Sequence, residues 1–362
     1  MRKITKIVIT GGPCGGKTTA MNWIRNDLTS MGYTVLFIPE TATELITGGV
    51  APWTCGTNVD YQKVQVALQQ AKEKGFEQAA ATMPGENIVI VCDRGMLDNK
   101  AYMTDAEFTE VLRGIGLNEI EAMNSYGAVF HLVTAAKGAE AFYTTANNGA
   151  RTETPEQAIA MDDKLIACWT GHPYLRVIDN STDFQGKMRR LIAELRAFLG
   201  EAAPYEILRK FLIRYPDIKA LESDPACRKF EILQTYLTSV NGDEVRLRQF
   251  GIGGNFVYSK LTKHRVSALT RVEREERLTQ GEYLALLMDA DPARRRIRKT
   301  RYCLTRNGQY YEIDVFPFWN DQAFLEVKLR GEDDAYTIPP EFETIREVTG
   351  DPSYTNYALS QR

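Results

Sequence analysis

The first 200 residues alternate short, almost continuously apolar runs with longer segments in which apolar residues recur at helical spacing. Such apolar runs are typical of buried parallel strands, and the amphipathic segments between them are typical of helices that cover a sheet. The pattern predicts a parallel sheet with helices on both faces. The predicted strands are residues 6–10, 34–39, 88–92, 128–133 and 175–178, and the predicted helices are residues 17–31, 61–82, 104–113, 155–169 and 184–199.

The pattern changes near residues 200–204, which read GEAAP. Beyond this point, long charged segments alternate between apolar and polar positions with a period of two, as half-buried antiparallel strands do. Asn241-Gly242 and Asn307-Gly308 separate some of these segments, and Asn-Gly is a strong hairpin signal. We therefore predict an α/β protein with two domains, a parallel one over residues 1–200 and an antiparallel β-barrel or tunnel over residues 204–362.

Composition limits the class of protein. The net charge of −3 over 362 residues gives no reason to expect nucleic acid as a partner. Six scattered cysteines without a CxxC pair, and only three histidines, argue against a zinc site or a disulfide framework and favour a reducing compartment. No apolar run approaches the roughly 20 residues of a transmembrane helix, and none resembles a signal peptide. We expect a cytoplasmic protein with no transmembrane segment.

A glycine-rich loop lies between the first predicted strand and the first predicted helix, as a phosphate-binding P-loop requires. In such a loop the backbone N–H groups and the helix N-terminus bind phosphates, the lysine reaches the β- and γ-phosphates and the hydroxyl that follows binds Mg²⁺. The motif predicts a bound nucleoside triphosphate, ATP or GTP, with Mg²⁺, and no Asn-Lys-x-Asp guanine signature is present. The predicted nucleotide-binding residues are Gly11, Gly12, Pro13, Cys14, Gly15, Gly16, Lys17, Thr18 and Thr19, with Thr18 as a metal ligand.

Five further residues are expected near the phosphates, because each follows or lies between predicted strands. Glu40 follows the second strand and is a candidate to accept a proton from a substrate hydroxyl or to help hold Mg²⁺. Asp93 and Arg94 end the third strand, where Asp93 is a candidate Mg²⁺ ligand and Arg94 a candidate phosphate clamp. Arg151 lies where small P-loop kinases place a lid arginine. Asn180 follows the last strand, where such kinases hold the nucleotide base.

These segments carry a resemblance. GGPCGGKTT, PETAT, CDRG and WTGHPYLRVIDNS together resemble the small P-loop kinase-like domain of the nicotinamide riboside kinase type, which is often grouped with AAA-like ATPase domains. The resemblance covers about residues 1–200. It implies a kinase-like scaffold, with Lys17, Glu40, Asp93, Arg94 and Arg151 as the catalytic set.

Charged residues occupy alternate positions of several predicted strands in the second half, so that i, i+2 pairs share one face of a strand. Facing outward they would be solvated. Facing inward they would line a charged tunnel whose basic rows hold a polyphosphate-like anion and whose acidic rows bind divalent ions. The candidates are Glu206, Lys210, Arg246, Arg248, Lys260, Lys263, Glu273, Glu275, Lys299, Arg301, Glu312, Asp314, Glu326 and Lys328.

A second resemblance concerns these strands. EILRKFLI, EVRLR, YSKLTK, RVEREE, YEIDVF and FLEVKL resemble, in that order, a CYTH domain, the triphosphate-tunnel fold of adenylate cyclases and triphosphatases, over about residues 204–335. Leu208 and Lys328 stand where that family carries metal-binding glutamates, so we expect weak Mg²⁺ binding and an anion-binding tunnel that does not hydrolyse. The whole chain is similar to the TRP-and-translocation-defect family, whose members are understood to bind GTP and phosphoinositides.

Three functions are consistent with these features. The main prediction is a Mg²⁺-dependent ATP or GTP phosphotransferase or NTPase whose second domain binds a phosphorylated small molecule. The second is a non-catalytic, nucleotide-dependent regulatory protein that binds a phosphoinositide or polyphosphate. The third is a CYTH triphosphatase regulated by the P-loop domain, against which Leu208 and Lys328 count.

Overall fold

The computed structural model describes residues 3–140, 154–200, 207–239, 243–265, 271–306, 308–329 and 334–361. The chain divides into two compact units, Met1–Ala202 and Ala203–Arg362. We call them the P-loop unit and the β unit.

The P-loop unit contains a five-stranded parallel sheet with helices between its strands, which confirms the predicted α/β fold. The strands are β1 (Lys3–Gly11), β2 (Thr34–Ile38), β3 (Asn87–Asp93), β4 (Ala128–Leu132) and β5 (Leu175–Ile178), and the helices are α1 (Lys17–Ser30), α2 (Thr41–Thr47), α3 (Asn58–Thr82), α4 (Asp105–Gly114), α5 (Glu119–Asn124), α6 (Pro155–Trp169) and α7 (Phe184–Leu199). The strand order is β2-β3-β1-β4-β5. A 3-10 helix, Met96–Tyr102, follows β3.

Alternation along β1 distributes the core over both faces of this sheet. Ile7 and Ile9 pack with apolar residues of α1 and α7. Val8 points to the other face, where it approaches Gly95 together with the ring of Trp169 from α6. Because all strands are parallel, their carboxyl ends share one edge, and the residues that follow β1, β2 and β3 are therefore brought together there.

The β unit contains a nine-stranded antiparallel sheet in the described residues. Its strands are β6 (Ile207–Arg214), β7 (Cys227–Tyr236), β8 (Glu244–Ile252), β9 (Asn255–Arg265), β10 (Arg271–Leu278), β11 (Ile297–Arg306), β12 (Gln309–Val315), β13 (Gln322–Leu329) and β14 (Thr344–Glu347), with helices α8 (Ile218–Ser223), α9 (Gln280–Leu286) and α10 (Asn356–Leu359). The order is β10-β9-β8-β7-β11-β12-β13-β6-β14. β11 and β12 flank Gly308 and form the predicted hairpin.

The strands of the β unit have two chemically different faces. On one face, Tyr302, Leu304, Ile313, Leu325 and Val327 belong to a buried apolar cluster. The side chains between them point to the opposite face, which carries most of the charged residues that were predicted to line a tunnel. The period-two pattern of the sequence thus corresponds to an apolar face and a charged face.

Candidate functional site

The phosphate loop joins β1 to α1 in a backbone conformation that depends on its glycines. A side chain at Gly15 would place its Cβ 2.5 Å from the carbonyl oxygen of Leu132, at the end of β4. Gly16 has φ of 94° and Cys14, although not a glycine, has φ of 57°. Left-handed residues next to right-handed ones turn successive N–H groups toward one side, which forms an anion-binding concavity.

A buried carboxylate supports this loop. Oδ1 of Asp162, on α6, accepts hydrogen bonds from the backbone N–H of Gly12 at 2.9 Å and of Thr134 at 3.1 Å, and lies 2.8 Å from Nε2 of His131. Burial favours the neutral acid, but the neighbouring His131 and Lys137 outweigh it and lower the pKa of Asp162. The Asp162 side chain is therefore ionised, and its hydrogen bonds stabilise the conformation of the loop.

Lys17 and Asp93 face each other at the end of the loop. Nζ of Lys17 lies 4.0 Å from Oδ1 of Asp93, and this oxygen is buried and accepts no hydrogen bond from the described residues. Burial and the charge of Arg94 lower the pKa of Lys17, and burial raises the pKa of Asp93. The surroundings of Lys17 and Asp93 therefore disfavour the charged form of each side chain, as is common in a site that binds a charged ligand.

Arg94 and Glu40 form an ion pair beside Lys17. Nε of Arg94 donates to Oε1 of Glu40 at 2.5 Å, and the hydroxyl of Thr43 donates to Oε2 of the same carboxylate at 2.7 Å. Burial opposes its ionisation, but the charges of Arg94 and Lys17 lower the pKa of Glu40 to about 2. Arg94 itself has φ of 69°, a left-handed conformation that is uncommon for a non-glycine residue.

Sequence reasoning did not find the polar network that holds Arg94 in place. Gln69 of α3 donates to the Arg94 carbonyl at 3.3 Å, and the carboxylate of Glu73 contacts both Lys6 at 2.8 Å and the hydroxyl of Tyr126 at 2.7 Å. Asp98, an acidic residue near Arg94 in sequence, accepts from Thr10, Gly95 and Trp169 and serves the local structure. The sequence did contain a signal for this network, namely polar residues at helical spacing on a buried helix face. These residues are Gln62, Gln65, Gln69 and Glu73 on α3, and Asp162 among the apolar residues of α6.

The protein family described as an AAA domain matches residues 6–187. The chain belongs to the AAA domain family. The chain is also similar to a thymidylate kinase from Shouchella clausii (strain KSM-K16), with 25% identity over 129 residues, which are 35% of this chain and 58% of the kinase. The chain thus spans less than two thirds of that relative's length. Family and relative together support a kinase-like P-loop domain that binds nucleotide.

Part of the chain is also similar in sequence to solved structures, but the structural agreement is low. Two crystal structures of the protein NE1496, one described as hypothetical and one as an inorganic triphosphatase, are each 31% identical to the part of this chain they match. They cover 43% of this chain and 97% and 93% of their own chains, with TM-scores of 0.32 and 0.30. Because these TM-scores are low, the chemistry of the β unit rests on its own residues.

Asn180 and Arg151 are the two remaining residues that were predicted to contact the nucleotide in the AAA domain. Asn180 donates to the carbonyl oxygens of Thr134 at 2.8 Å and Lys137 at 2.6 Å and accepts from Lys187 at 2.8 Å. Its amide therefore holds the segment after β4 in place, and its predicted contact with the nucleotide base stays a prediction. Arg151 lies outside the described residues.

The AAA domain offers a fitting place for one Mg²⁺ ion. Asp93 supplies a buried carboxylate oxygen that accepts no hydrogen bond from the described part of the chain, and the exposed side chain of Thr18 lies in the first turn of α1. Among the described residues, no group of three or more His, Cys, Asp or Glu side chains could hold a metal ion. Mg²⁺ is commonly bound through one or two protein oxygens together with phosphates and water, and Asp93 and Thr18 are residues that could supply them. In the described part of the chain, no helix has the length and apolarity to cross a membrane.

Strand register shows which predicted tunnel residues share a surface in the β unit. Lys263 lies on the same face as Arg246 and Arg248, whereas Lys260 points to the other face. Glu206 lies outside the described residues, as does the side chain of Glu273. Register places the following residues on one face, which we call the charged face: Lys210, Arg246, Arg248, Lys263, Glu275, Lys299, Arg301, Glu312, Asp314, Glu326 and Lys328.

One half of the charged face is a partly buried network in which each acid among the described residues is paired with a cation. Asp314 is paired with both Lys299 and Arg301, and the Arg301 guanidinium also reaches Glu312. The neighbouring cations hold the pKa of Asp314 well below its ordinary value although burial opposes this. Nζ of Lys328 lies 3.6 Å from Oε2 of Glu312, and Lys210 lies 3.1 Å from Glu326. These acids are thus paired with side-chain cations, which leaves them poorly suited to bind a divalent ion.

Proposed function

We propose that the AAA domain is a Mg²⁺-dependent phosphotransferase that uses ATP or GTP. The observation that supports this most directly is the cluster of Lys17, Asp93, Arg94 and Glu40 at one edge of the sheet. Two pairs of opposite charges, Lys17 with Asp93 and Arg94 with Glu40, are more than nucleotide binding alone requires. They fit a site that binds a donor phosphate and an acceptor together.

Each residue then has a distinct role. The loop amides and Lys17 bind the phosphates and stabilise the charge that develops on the transferred group. Asp93 and Thr18 would hold Mg²⁺, which supplies charge neutralisation between the phosphates. Arg94, fixed by Glu40, orients the acceptor. With a pKa of about 2, Glu40 is a weak base at neutral pH, so positioning is its stronger role.

The likeness to a thymidylate kinase supports transfer to a small molecule over a slow nucleotide switch. The lid arginine that such transfer uses is assigned to Arg151. The proposal includes that Arg151 corresponds to the lid arginine of other small P-loop kinases. It also includes the resemblance to the nicotinamide riboside kinase type.

The test is turnover of ATP and of GTP by the full chain with Mg²⁺, measured as formation of the nucleoside diphosphate. We expect Lys17→Ala to lower the rate at least 100-fold, because it removes a charge from the transition state. The matched control is Lys63→Ala, since Lys63 forms an exposed ion pair with Glu110 at 2.8 Å. Full turnover in Lys17→Ala would refute the proposal.

A second candidate function concerns the β unit, which we propose binds a polyanion without hydrolysing it. Arg246 and Arg248 share a face with Lys263, and Arg248 pairs with Glu275, so that cations outnumber described acids in this half of the charged face. A phosphorylated small molecule, a polyphosphate and a phosphoinositide headgroup all present the required charge.

Calorimetric titration of the full chain with tripolyphosphate, and separately with inositol 1,3-bisphosphate as a headgroup probe, tests this role. Arg246→Ala combined with Arg248→Ala is expected to weaken binding at least tenfold. Lys260→Ala removes a charge from the opposite face of β9 and should leave binding unchanged. Phosphate release from tripolyphosphate that survives Lys17→Ala would instead favour a triphosphatase.

A further inference from the structure

A run of basic residues around the start of β11 contains two arginines that have no protein partner within the described ranges. The segment reads RRRIRK. Arg294 and Arg295 donate to backbone carbonyl oxygens of α10 at 2.7 Å and 2.9 Å, and Lys299 is paired on the charged face. Arg296 and Arg298 are exposed, and neither side chain forms an ion pair or a hydrogen bond with another described residue. Two cations of this segment are therefore available to a ligand.

Both arginines line one groove of the β unit, together with residues of β7, β8 and β9. In the register, Arg298 lies opposite Leu233 and Leu233 lies opposite Gln249, which places the groove on the face of the sheet opposite the charged face. Its volume is about 580 Å³, within the range of about 300–1,000 Å³ that small-molecule sites occupy. The groove is thus large enough for one small molecule and is separate from the surface proposed to bind a polyanion.

The groove has a cationic end and an aromatic end. Arg296 and Arg298 lie at the start of β11, whereas Phe256 lies on β9, with β7 and β8 between these two strands. A side chain at Gly251 of β8 would place its Cβ 2.2 Å from the ring of Phe256, so the ring extends over β8 toward the arginines. Because neighbouring strands lie about 4.8 Å apart, a ligand that contacts both ends must be about 10–14 Å long.

Between the two ends, the floor of the groove carries hydrogen-bonding side chains. Glu231 of β7 and Gln249 of β8 line it, as does Thr300, which lies opposite Glu231 in the register. Glu231 forms no ion pair with any other described residue, so its carboxylate is available to an N–H donor. The groove therefore combines a positive end, a polar middle and an aromatic end.

A nucleoside phosphate carries groups that match these three parts. Its phosphate binds guanidinium groups, its base edge presents N–H donors and acceptors, and the flat base stacks on an aromatic side chain. Inorganic phosphate alone would leave the aromatic end uncovered, and a neutral apolar ligand would leave the two arginines unpaired. Two guanidinium groups also balance the charge of one phosphate monoester.

We propose that this groove binds a nucleoside monophosphate, at a site separate from the phosphate loop and from the charged face. Arg296 and Arg298 bind the phosphate, Glu231 and Gln249 contact the edge of the base, and the base stacks on Phe256. The proposal concerns binding and includes no chemical step. Because every residue of the groove belongs to the β unit, the inference does not depend on the phosphotransfer proposed for the AAA domain.

Calorimetric titration of the full chain without Mg²⁺ tests this site, with the 5′-monophosphates of adenosine, guanosine and uridine as probes. Each is compared with its neutral nucleoside, which lacks the phosphate, and with ribose 5-phosphate, which lacks the base. We expect at least one monophosphate to bind about tenfold or more tightly than either part. Arg296→Ala combined with Arg298→Ala should weaken its binding about tenfold or more, and Phe256→Leu about fivefold or more, because stacking on the ring is lost.

Matched variants separate this groove from the other sites of the chain. Lys17→Ala changes the phosphate loop, and Arg246→Ala with Arg248→Ala changes the charged face, so both should leave this binding unchanged. Lys219→Ala removes an exposed charge of α8 that does not line the groove, and it controls for charge alone. The combined variant of Arg296 and Arg298 should keep the urea midpoint of unfolding, since neither side chain loses a described protein partner.

The proposal is overturned if no monophosphate binds, if the nucleoside or ribose 5-phosphate binds as tightly, or if the arginine variant leaves the affinity unchanged. Binding that is lost in Lys17→Ala and retained in the arginine variant would place the nucleotide in the AAA domain, and it would overturn the groove site as well. Turnover that does not depend on Lys17, together with intact binding in the groove, would overturn only the proposed function.

Discussion

The backbone N–H of Gly12 donates a 2.9 Å hydrogen bond to Oδ1 of Asp162, and this contact fixes the phosphate loop to α6. A side chain at position 12 would lie 2.6 Å from the same oxygen, so the contact also explains why glycine is required there. The loop is thereby organised before a nucleotide binds. Preorganised donors stabilise charge without reorientation at the moment of reaction.

The first prediction concerns this contact. Asp162→Asn removes the charge on which two backbone N–H groups converge, and we expect a loss of about 2 kcal/mol in the free energy of unfolding. Nucleotide affinity should fall about tenfold because the loop loses its support. Asp163→Asn is the control, since Asp163 is largely exposed and, within the described ranges, forms an ion pair only with Lys137. Equal effects of the two variants in urea unfolding and nucleotide titration would contradict the role of Asp162.

The second prediction concerns acid stability. The folded-state pKa of Glu40, about 2, lies below its ordinary value of 4.5, so the unfolded chain binds the proton more readily. The stabilisation is therefore fully present above about pH 4.5 and is lost as pH falls toward 2. Because the side chain is partly exposed, we expect about 1–2 kcal/mol.

Glu40→Gln should flatten this part of the curve of unfolding free energy against pH. Glu44→Gln is the control on α2, which begins directly after Glu40, because Glu44 forms a more exposed pair with Lys72 at 2.6 Å. Parallel curves for the wild type and Glu40→Gln between pH 4.5 and 2.5 would show that the ion pair with Arg94 does not stabilise the fold.

The third prediction concerns the cation beside Glu312. Lys328 neutralises this carboxylate, and Lys328→Glu would replace it with a third acid next to Glu312 and Glu326. We expect the variant to gain a Mn²⁺-dependent rise in melting temperature that the wild type lacks, because metal affinity follows ligand charge. Lys260→Glu makes the same charge change on the opposite face of β9 and should show no such rise. A Mn²⁺ response in the wild type would mean that its acids already bind metal.

The fourth prediction concerns Arg301, which contacts Glu312, Asp314 and Glu326 from one guanidinium group. Arg301→Lys keeps the charge but loses the planar fork, and we expect a loss of about 2 kcal/mol in unfolding free energy. Arg298→Lys is the control, because Arg298 lies on the same strand with its side chain exposed on the other face. A similar small loss in both variants would show that Arg301 does not organise the network.

Much of the fold followed from periodicity. The predicted helices at residues 155–169 and 184–199 match α6 and α7, because each has a clear capping residue and an amphipathic pattern. The helices α2, α5, α8, α9 and α10 were missed. Each spans only 4 to 7 residues, too few for a helical period to stand out from the surrounding pattern.

The sequence by itself determined the local chemistry of this protein: a phosphate loop between a strand and a helix, acidic and basic residues at strand ends, and a change from helical to period-two alternation. Local backbone preferences and side-chain patterns are short-range properties, so they can be read along the chain. Only the tertiary structure decided the pairing of groups far apart in sequence. It joined Arg94 to Glu40, placed Asp162 beneath Gly12 and set Lys328 beside Glu312. Burial and distance govern whether a charge is compensated or left available to a ligand, and both arise only when the elements pack together.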